Sequence, residues 1–587
     1  MAQPQPFILL APTDPRAVVS EWIAVAVESH QLNRFPDAER QLRHALQLEP
    51  GNARAYNNLA CAYGAGGNYK EALLAVERAA MLAEFGYEVV LDESSDEIAK
   101  KPMENYGVAL CNWALILMDM EQMEEATKKA ELAVQVYPCK QTRTTLALCY
   151  PVSGSPAKAL PLYNAVLDEE PKHFVAGMNA AFVQTLTDAA PEELLAQRRR
   201  FHEGQRQSGS GLKHHKLSLN GKPLRVGYVS GDFRRHSASS IFGGVVLKHS
   251  PAVEAYLYST QPVDVEADPV SRKYKTYAGE RWRDISNTPD EEAEVLIRKA
   301  RIDILVDLSG HTGGGRLGLF TRRPAPVQAT GWGFAHGTGL PEIDYFFADP
   351  VAVPVEERQH YAERVVDLPC IVTYDPPVEY NLDGVSEPPA VKNDHVTFGC
   401  FSRYEKLSQA YLATCQEVLL AVPNSRMEFK DNAFRRPGAV RHVLEVMDAV
   451  DPSRLSFRVG TGQQDHMLAY QRCDLILDPF PHSGGTCCLE QLWMGVPLVT
   501  RYGTQAAGRT ASSVLTAMDR GDWIARSTEE YISIAVSLSE RIVAHPESKL
   551  RASLRQELLD SPVVKGYVAA VEDLYRGLVK GRVACQS

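Results

Sequence analysis

The spacing of small residues in the first third constrains this chain most. Ala38, Leu42, Ala45 and Pro50 recur 34 residues on as Ala72, Val76, Ala79 and Glu84. The same pattern returns as Ala126, Ala130, Ala133 and Pro138, and again as Ala159, Tyr163, Val166 and Pro171. Upstream of the second unit lie Tyr56, Leu59, Ala60 and Tyr63. Small residues let two antiparallel helices approach closely, and larger ones fill the groove between them. Each helix pair leaves an apolar face that only a neighbouring pair covers, so such units stack.

This is the tetratricopeptide period, and it predicts an α-solenoid over residues 19–205. A degenerate fifth unit, from Phe174 to Phe201, is read as its cap. The step from Ala72 to Ala126 is 54 residues. It leaves an insertion of about 20 residues beyond one period. The acidic stretch Asp92 to Glu97 falls there and is read as a solvent loop. An array of this kind is either a packing scaffold or a groove for an extended protein partner. Partner binding is the expected use.

The period then changes. Residues 206–223 read as a linker. Beyond it, short β-rich runs alternate with helical segments: 224–230, 255–260, 302–307 and 325–330. A proline-rich polar stretch, 374–394, interrupts the rhythm, which restarts with 396–401, 426–430, 455–459, 474–478, 497–500 and 522–525. These runs predict two doubly wound α/β lobes, 224–373 and 395–587, with closing helices at the end. The length agrees: 587 residues hold about four units at roughly 150 residues each. A net charge of −11 argues against nucleic acid as a partner. No apolar run reaches the roughly 18 residues of a membrane span, and no basic, apolar leader opens the chain. The 11 cysteines are scattered without a C-x-x-C pair. They predict reduced thiols and a cytoplasmic protein.

Four segments carry candidate chemistry. In the run 474–500, an apolar strand ends at Asp478, and a proline turn leads to Ser483, Gly484, Gly485 and Thr486 before a helix. Glycines at a helix start let a ligand approach backbone N–H groups that favour an anion. Glu490, one turn on, can accept from a sugar hydroxyl. The alternative is an ordinary strand–helix turn. Arg403 and Lys406 follow the strand 396–401 and can neutralise a diphosphate. His236 follows the strand 224–230, beside Ser230, Asp232 and Ser237. It can accept a proton or bind a sugar, although a lone histidine is more often structural. His311 and Thr312 precede three glycines, read as a mobile, close-approach loop on the same cleft side. There is no P-loop, G-x-S-x-G elbow, HExxH or metal-spaced His/Cys cluster. Cations and a helix terminus therefore answer the phosphate charge better than a metal does.

With these motifs in order, the chain resembles the O-GlcNAc transferase/SPINDLY family. RVGYVSGDFRRHS, IDILVDLSGHT, RPAPVQATGWG, HVTFGCFSRYEKLS, DHMLAY and DLILDPFPHSGGT carry the resemblance, which spans about residues 19 to 580. It implies a GT-B glycosyltransferase that is inverting, needs no metal or other cofactor, and moves a sugar from a nucleotide-diphosphate donor to Ser or Thr of proteins. By motif, His236 matches the active-site histidine, Lys406 the diphosphate-contacting lysine and His466 the histidine near the base. Ser483 to Thr486 match the phosphate-binding helix start, and Glu490 the acidic residue on the ribose. The sequence departs from the pattern at Gly485-Thr486-Cys487, at Arg403, at Gly331 to Ala335 (which includes Gly333 near the donor) and at Gln463. UDP-GlcNAc is the expected donor, with the repeats holding the acceptor protein. GDP-fucose, or a dedicated flagellar or surface acceptor, is the alternative within the class. A repeat adaptor without turnover is the alternative outside it.

Overall fold

The computed structural model describes residues 15–91, 96–211, 213–219, 221–376, 385–460, 462–545 and 549–586. The chain divides into two compact units, Met1–Ser153 and Gly154–Ser587. The first is helical: α1 (Pro15–Gln31), α2 (Phe35–Leu48), α3 (Ala53–Ala65), α4 (Tyr69–Leu91), α5 (Asp96–Asp119), α6 (Met123–Val136) and α7 (Lys140–Val152). The repeat alanines Ala38, Ala45, Ala72, Ala79, Ala126 and Ala133 are all fully buried, as close helix approach requires. The expected loop at 92–97 is corrected in part. Residues 92–95 lie outside the described residues, whereas Asp96 and Glu97 begin α5. The inserted residues lengthen α4 and α5 to 23 and 24 residues.

The second unit starts with three more helices of the repeat spacing: α8 (Ala159–Glu169), α9 (Phe174–Gln184) and α10 (Pro191–Gln205). They share a body with two all-parallel sheets. The first sheet contains β1 (Leu224–Ser230), β2 (Val253–Ser259), β3 (Trp282–Asp284), β4 (Ile304–Asp307), β5 (Val327–Thr330), β6 (Tyr345–Ala348) and β7 (Arg364–Asp367) in the order β3-β2-β1-β4-β5-β6-β7. The second contains β8 (Val396–Cys400), β9 (Ser425–Lys430), β10 (Leu455–Arg458), β11 (Leu475–Leu477), β12 (Leu498–Arg501) and β13 (Ile524–Ala525) in the order β10-β9-β8-β11-β12-β13. Both sheets reverse direction beside their first strand, so each has a switch point where ligands bind beyond the strand ends. A helical repeat region followed in sequence by two Rossmann-like lobes is the GT-B arrangement expected. The strands unread in the sequence, β3, β6 and β7, are only three or four residues long, and β3 and β7 are sheet edges. Short edge strands carry little alternating pattern.

The lobes share one device. Asp307 ends β4 and accepts from the backbone N–H of Ser309 and Gly310 and from Thr330 Oγ1 at 2.7 Å. Asp478 follows β11 and accepts from Gly484 N–H at 2.8 Å and Thr500 Oγ1 at 2.7 Å. Each buried carboxyl ties the loop after the switch-point strand to the end of the next strand. Burial pushes both up, Asp307 to about 6 and Asp478 to about 7.

The final helix, Tyr567–Gln586, belongs to the last segment of sequence but packs on the first lobe. Tyr575 Oη meets Tyr228 Oη at 3.0 Å, and Tyr567 Oη accepts from Trp332 Nε1 at 2.9 Å. Glu572 accepts from Ser250 N and Oγ, both at 2.7 Å. Residues 377–384 of the proline-rich stretch lie outside the described residues. Among the described residues no helix is long and apolar enough to cross a membrane.

Candidate active site

The two lobes meet at two helix starts. Helix α11 (Ser237–Val246) follows the turn after β1, and α12 (Thr486–Trp493) follows the turn after β11. Thr486 Oγ1 donates to the Ser237 carbonyl at 3.3 Å, so their N-terminal ends lie together. The free N–H groups of both first turns favour negative charge there.

His236 is the N-cap of α11; its Nδ1 accepts from Ala238 N–H at 3.3 Å and stands 3.5 Å from Asp232 Oδ2. Burial lowers its pKa, Asp232 opposes this, and Arg234 and Arg403 add to it, so the imidazole is neutral at pH 7. From the second lobe, Tyr404 to Lys406 form one 3₁₀ turn after β8. Half-buried Lys406 donates from Nζ to the Ser483 carbonyl at 2.8 Å. Burial, with Arg403 beside it, pulls its pKa down to about 8. Arg403 is exposed, with its guanidinium 5.5 Å over the ring of Phe182 from α9.

The turn 483–486 divides its work. Gly484 lies against Asp478, where a Cβ would stand 2.7 Å from Oδ1, whereas a Cβ at Gly485 would meet nothing within 4 Å. Gly485 is thus the open face of the turn. The Ser483 side chain is corrected from a donor contact to an internal tie: Oγ is buried, donates to the Ala507 carbonyl at 3.1 Å and accepts from Ala511 N–H.

One turn into α12, Glu490 accepts from His466 Nε2 at 3.0 Å and from Tyr470 Oη at 3.2 Å. Lys430 Nζ, at the end of β9, donates to His466 Nδ1 at 2.9 Å. His466 is therefore held from both sides as the Nε2–H tautomer, with Phe401 at 6.3 Å between ring centroids.

Three expected donor residues make internal contacts. His311 is enclosed between Phe201 and Phe334, its Nε2 bonds the Thr338 carbonyl at 2.8 Å, and burial lowers it to about 3. Thr312 Oγ1 donates to the Ser309 carbonyl at 2.7 Å. The glycine loop is tied back at one point, where Thr260 Oγ1 donates to the Gly314 carbonyl. Gly333 is a packing glycine: a Cβ there would fall 1.5 Å from the Leu308 carbonyl oxygen.

Three site residues escaped the sequence reading: Asp478, Lys430 and His482. Each had a signal. Asp478 closes an apolar strand, Lys430 is the charged last residue of the strand run 426–430, and His482 directly precedes Ser483. Among the described residues, no group of three or more His, Cys, Asp or Glu side chains is arranged to hold a metal ion.

The model of glycosyl transferase family 41 matches residues 210–373 and 388–571, more than half the chain. The chain belongs to glycosyl transferase family 41. A tetratricopeptide-repeat model also matches residues 42–73. The chain is 34% identical over 373 residues to the Arabidopsis thaliana "Probable UDP-N-acetylglucosamine--peptide N-acetylglucosaminyltransferase SPINDLY", covering 61% of this chain and 40% of that protein. It is 31% identical over 328 residues to the enzyme named SEC of the same plant, covering 54% and 33%. The chain thus spans well under half the length of these relatives. Among solved structures, a lysine-to-methionine mutant of Thermobaculum terrenum O-GlcNAc transferase is similar with a TM-score of 0.68 at 27% identity, covering 98% of this chain and 100% of that one. In this family 41 chain, then, His236, Arg403, Lys406, Gly484 to Thr486, His466 and Glu490 gather around two helix starts, while His311 and Gly333 support the scaffold.

Proposed function

We propose that this chain is a protein O-glycosyltransferase that moves a sugar, GlcNAc in the first reading, from a nucleotide-diphosphate donor to Ser or Thr of an acceptor protein held by the repeats. The observation that carries it is the convergence of Lys406, Arg403 and the open Gly485 turn of α12 on one point of the lobe seam. Two cations and a helix start answer a diphosphate without a metal ion. His466, oriented by Lys430 and Glu490, serves the nucleoside end.

The chemistry follows from placement. The acceptor hydroxyl oxygen attacks the anomeric carbon on the face opposite the diphosphate, its O–H proton passes to neutral His236 or to the departing diphosphate, and the sugar–phosphate bond breaks with its electron pair going to the phosphate oxygen. Lys406 and the N–H groups of α12 stabilise that growing charge. Neutral His236, across the seam, orients donor or acceptor. The ten described cysteines are all free thiols, in keeping with a cytoplasmic site of action.

Thermal-shift measurements with UDP, GDP and CMP and their sugars test the reading, because a ligand of the native state raises its stability. A shift with UDP-GlcNAc, followed by transfer to a Ser/Thr peptide, is the expected result. A shift with GDP-fucose and fucosyl transfer selects the alternative donor. Binding without hydrolysis or transfer of any donor would instead identify an adaptor.

A further inference from the structure

His482 stands between the proline turn and the phosphate turn, next to the Ser483 carbonyl that holds Lys406. Its Nδ1 lies 3.1 Å from Thr185 Oγ1, just beyond the end of α9. Thr185 has one hydroxyl proton and directs it to the Phe182 carbonyl at 2.7 Å. Thr185 Oγ1 is therefore the acceptor and His482 Nδ1–H the donor. That leaves Nε2 as a bare lone pair. Among the described residues Nε2 has no hydrogen-bond partner, and it is not a sealed atom, for the ring is half-buried.

The groups around it keep the ring neutral. Burial lowers its pKa well below the usual histidine range, and Lys406, Arg403 and His336 act in the same direction. A neutral imidazole beside two cations accepts a hydrogen bond from a neutral donor such as a hydroxyl.

The support for the ring is built. Gln505 Nε2 of the second lobe donates to the carbonyls of Thr185 at 3.3 Å and Thr187 at 2.7 Å. His336 of the first lobe meets Gln505 Oε1 at 3.0 Å. One turn earlier, Phe182 lies under Arg403. The end of α9 thus sets two side chains that flank Lys406.

We propose that His482 Nε2 accepts a hydrogen bond from a hydroxyl of a bound substrate, belonging to the transferred sugar or to the acceptor side chain, and that Thr185 is the residue positioning it. This rests on the glycosyltransferase reading. The test uses the full chain with UDP-N-acetylglucosamine and GDP-fucose, comparing wild type, His482→Phe, His482→Gln and Thr185→Val. Donor hydrolysis and transfer to a Ser/Thr peptide are measured, with melting temperature as the check on folding. His482→Phe is expected to lower kcat/KM about tenfold or more. His482→Gln, whose amide oxygen can accept, restores part of it, and Thr185→Val repeats the same KM-against-kcat split more weakly. A raised donor KM with hydrolysis and transfer slowed alike assigns the sugar hydroxyl. Slowed transfer with unchanged hydrolysis assigns the acceptor hydroxyl. A folded His482→Phe chain with wild-type kinetics in both assays would overturn the proposal alone. A wild-type chain that turns over no donor would overturn the reading beneath it as well.

Discussion

Replacing Lys406 with alanine is the sharpest test of how the leaving group is stabilised. The ammonium already rests at 2.8 Å on the Ser483 carbonyl, on the same turn as the open N–H groups of α12. A unit charge about 4 Å from a phosphate oxygen interacts by about 4 kcal/mol at an effective dielectric near 20. Removing one donor aimed at developing charge slows reactions by about 10² to 10³. The diphosphate is charged in the bound donor but gains a further negative charge as the bond breaks. The loss therefore falls mainly on kcat, with a smaller rise in KM. Arg403 and α12 remain, so binding persists. The wild type carries a second signature. The ammonium is the working form and its pKa in the free protein is depressed to about 8, so kcat/KM should fall as pH rises through about 8. Lys406→Arg should move that alkaline limb upward. Steady-state kinetics across pH, with calorimetry for nucleoside diphosphate binding, supply both readouts. A folded Lys406→Ala protein keeping more than a tenth of wild-type kcat would refute the reasoning.

The glycines separate packing from binding. Gly484→Ala puts a Cβ 2.7 Å from Asp478 Oδ1 and should lower the melting temperature by several degrees, whereas Gly485→Ala meets nothing within 4 Å and should keep the fold while weakening donor binding in calorimetry. Gly333→Ala drives a Cβ to 1.5 Å from a backbone oxygen. It should cost about 4 kcal/mol or more in denaturant unfolding, the scale of severe core strain; wild-type stability would contradict its packing role. Asp478 is raised by burial to about 7, so the folded state holds a proton that the unfolded chain releases near 4. Its contribution to stability is full below about 4 and lost as pH rises through about 7. In urea titrations at pH 5 and pH 8, Asp478→Asn should lose less stability across that interval than wild type.

Local pattern was enough for the repeats and for most strands. The alanine spacing that announced helix pairs reappears as fully buried Ala38, Ala72 and Ala126, because close packing tolerates no larger side chain there. Apolar runs such as 224–230 and 396–401 became central strands, since both faces of a parallel sheet are covered. The positions of the glycine turn, Lys406, Arg403 and His236 were legible too, each following a strand whose carboxyl end faces the lobe seam.

Contacts distant in sequence were not legible. His311 and Gly333 carry suggestive neighbours, yet one is enclosed by Phe201 and Phe334 and the other is pressed on Leu308. His482 showed no partner until α9 brought Thr185 to it across 297 residues. Residue type and spacing follow from periodic burial along one element. Protonation, tautomer and exposure depend on what other elements press against a side chain, and that is a property of the assembled lobes.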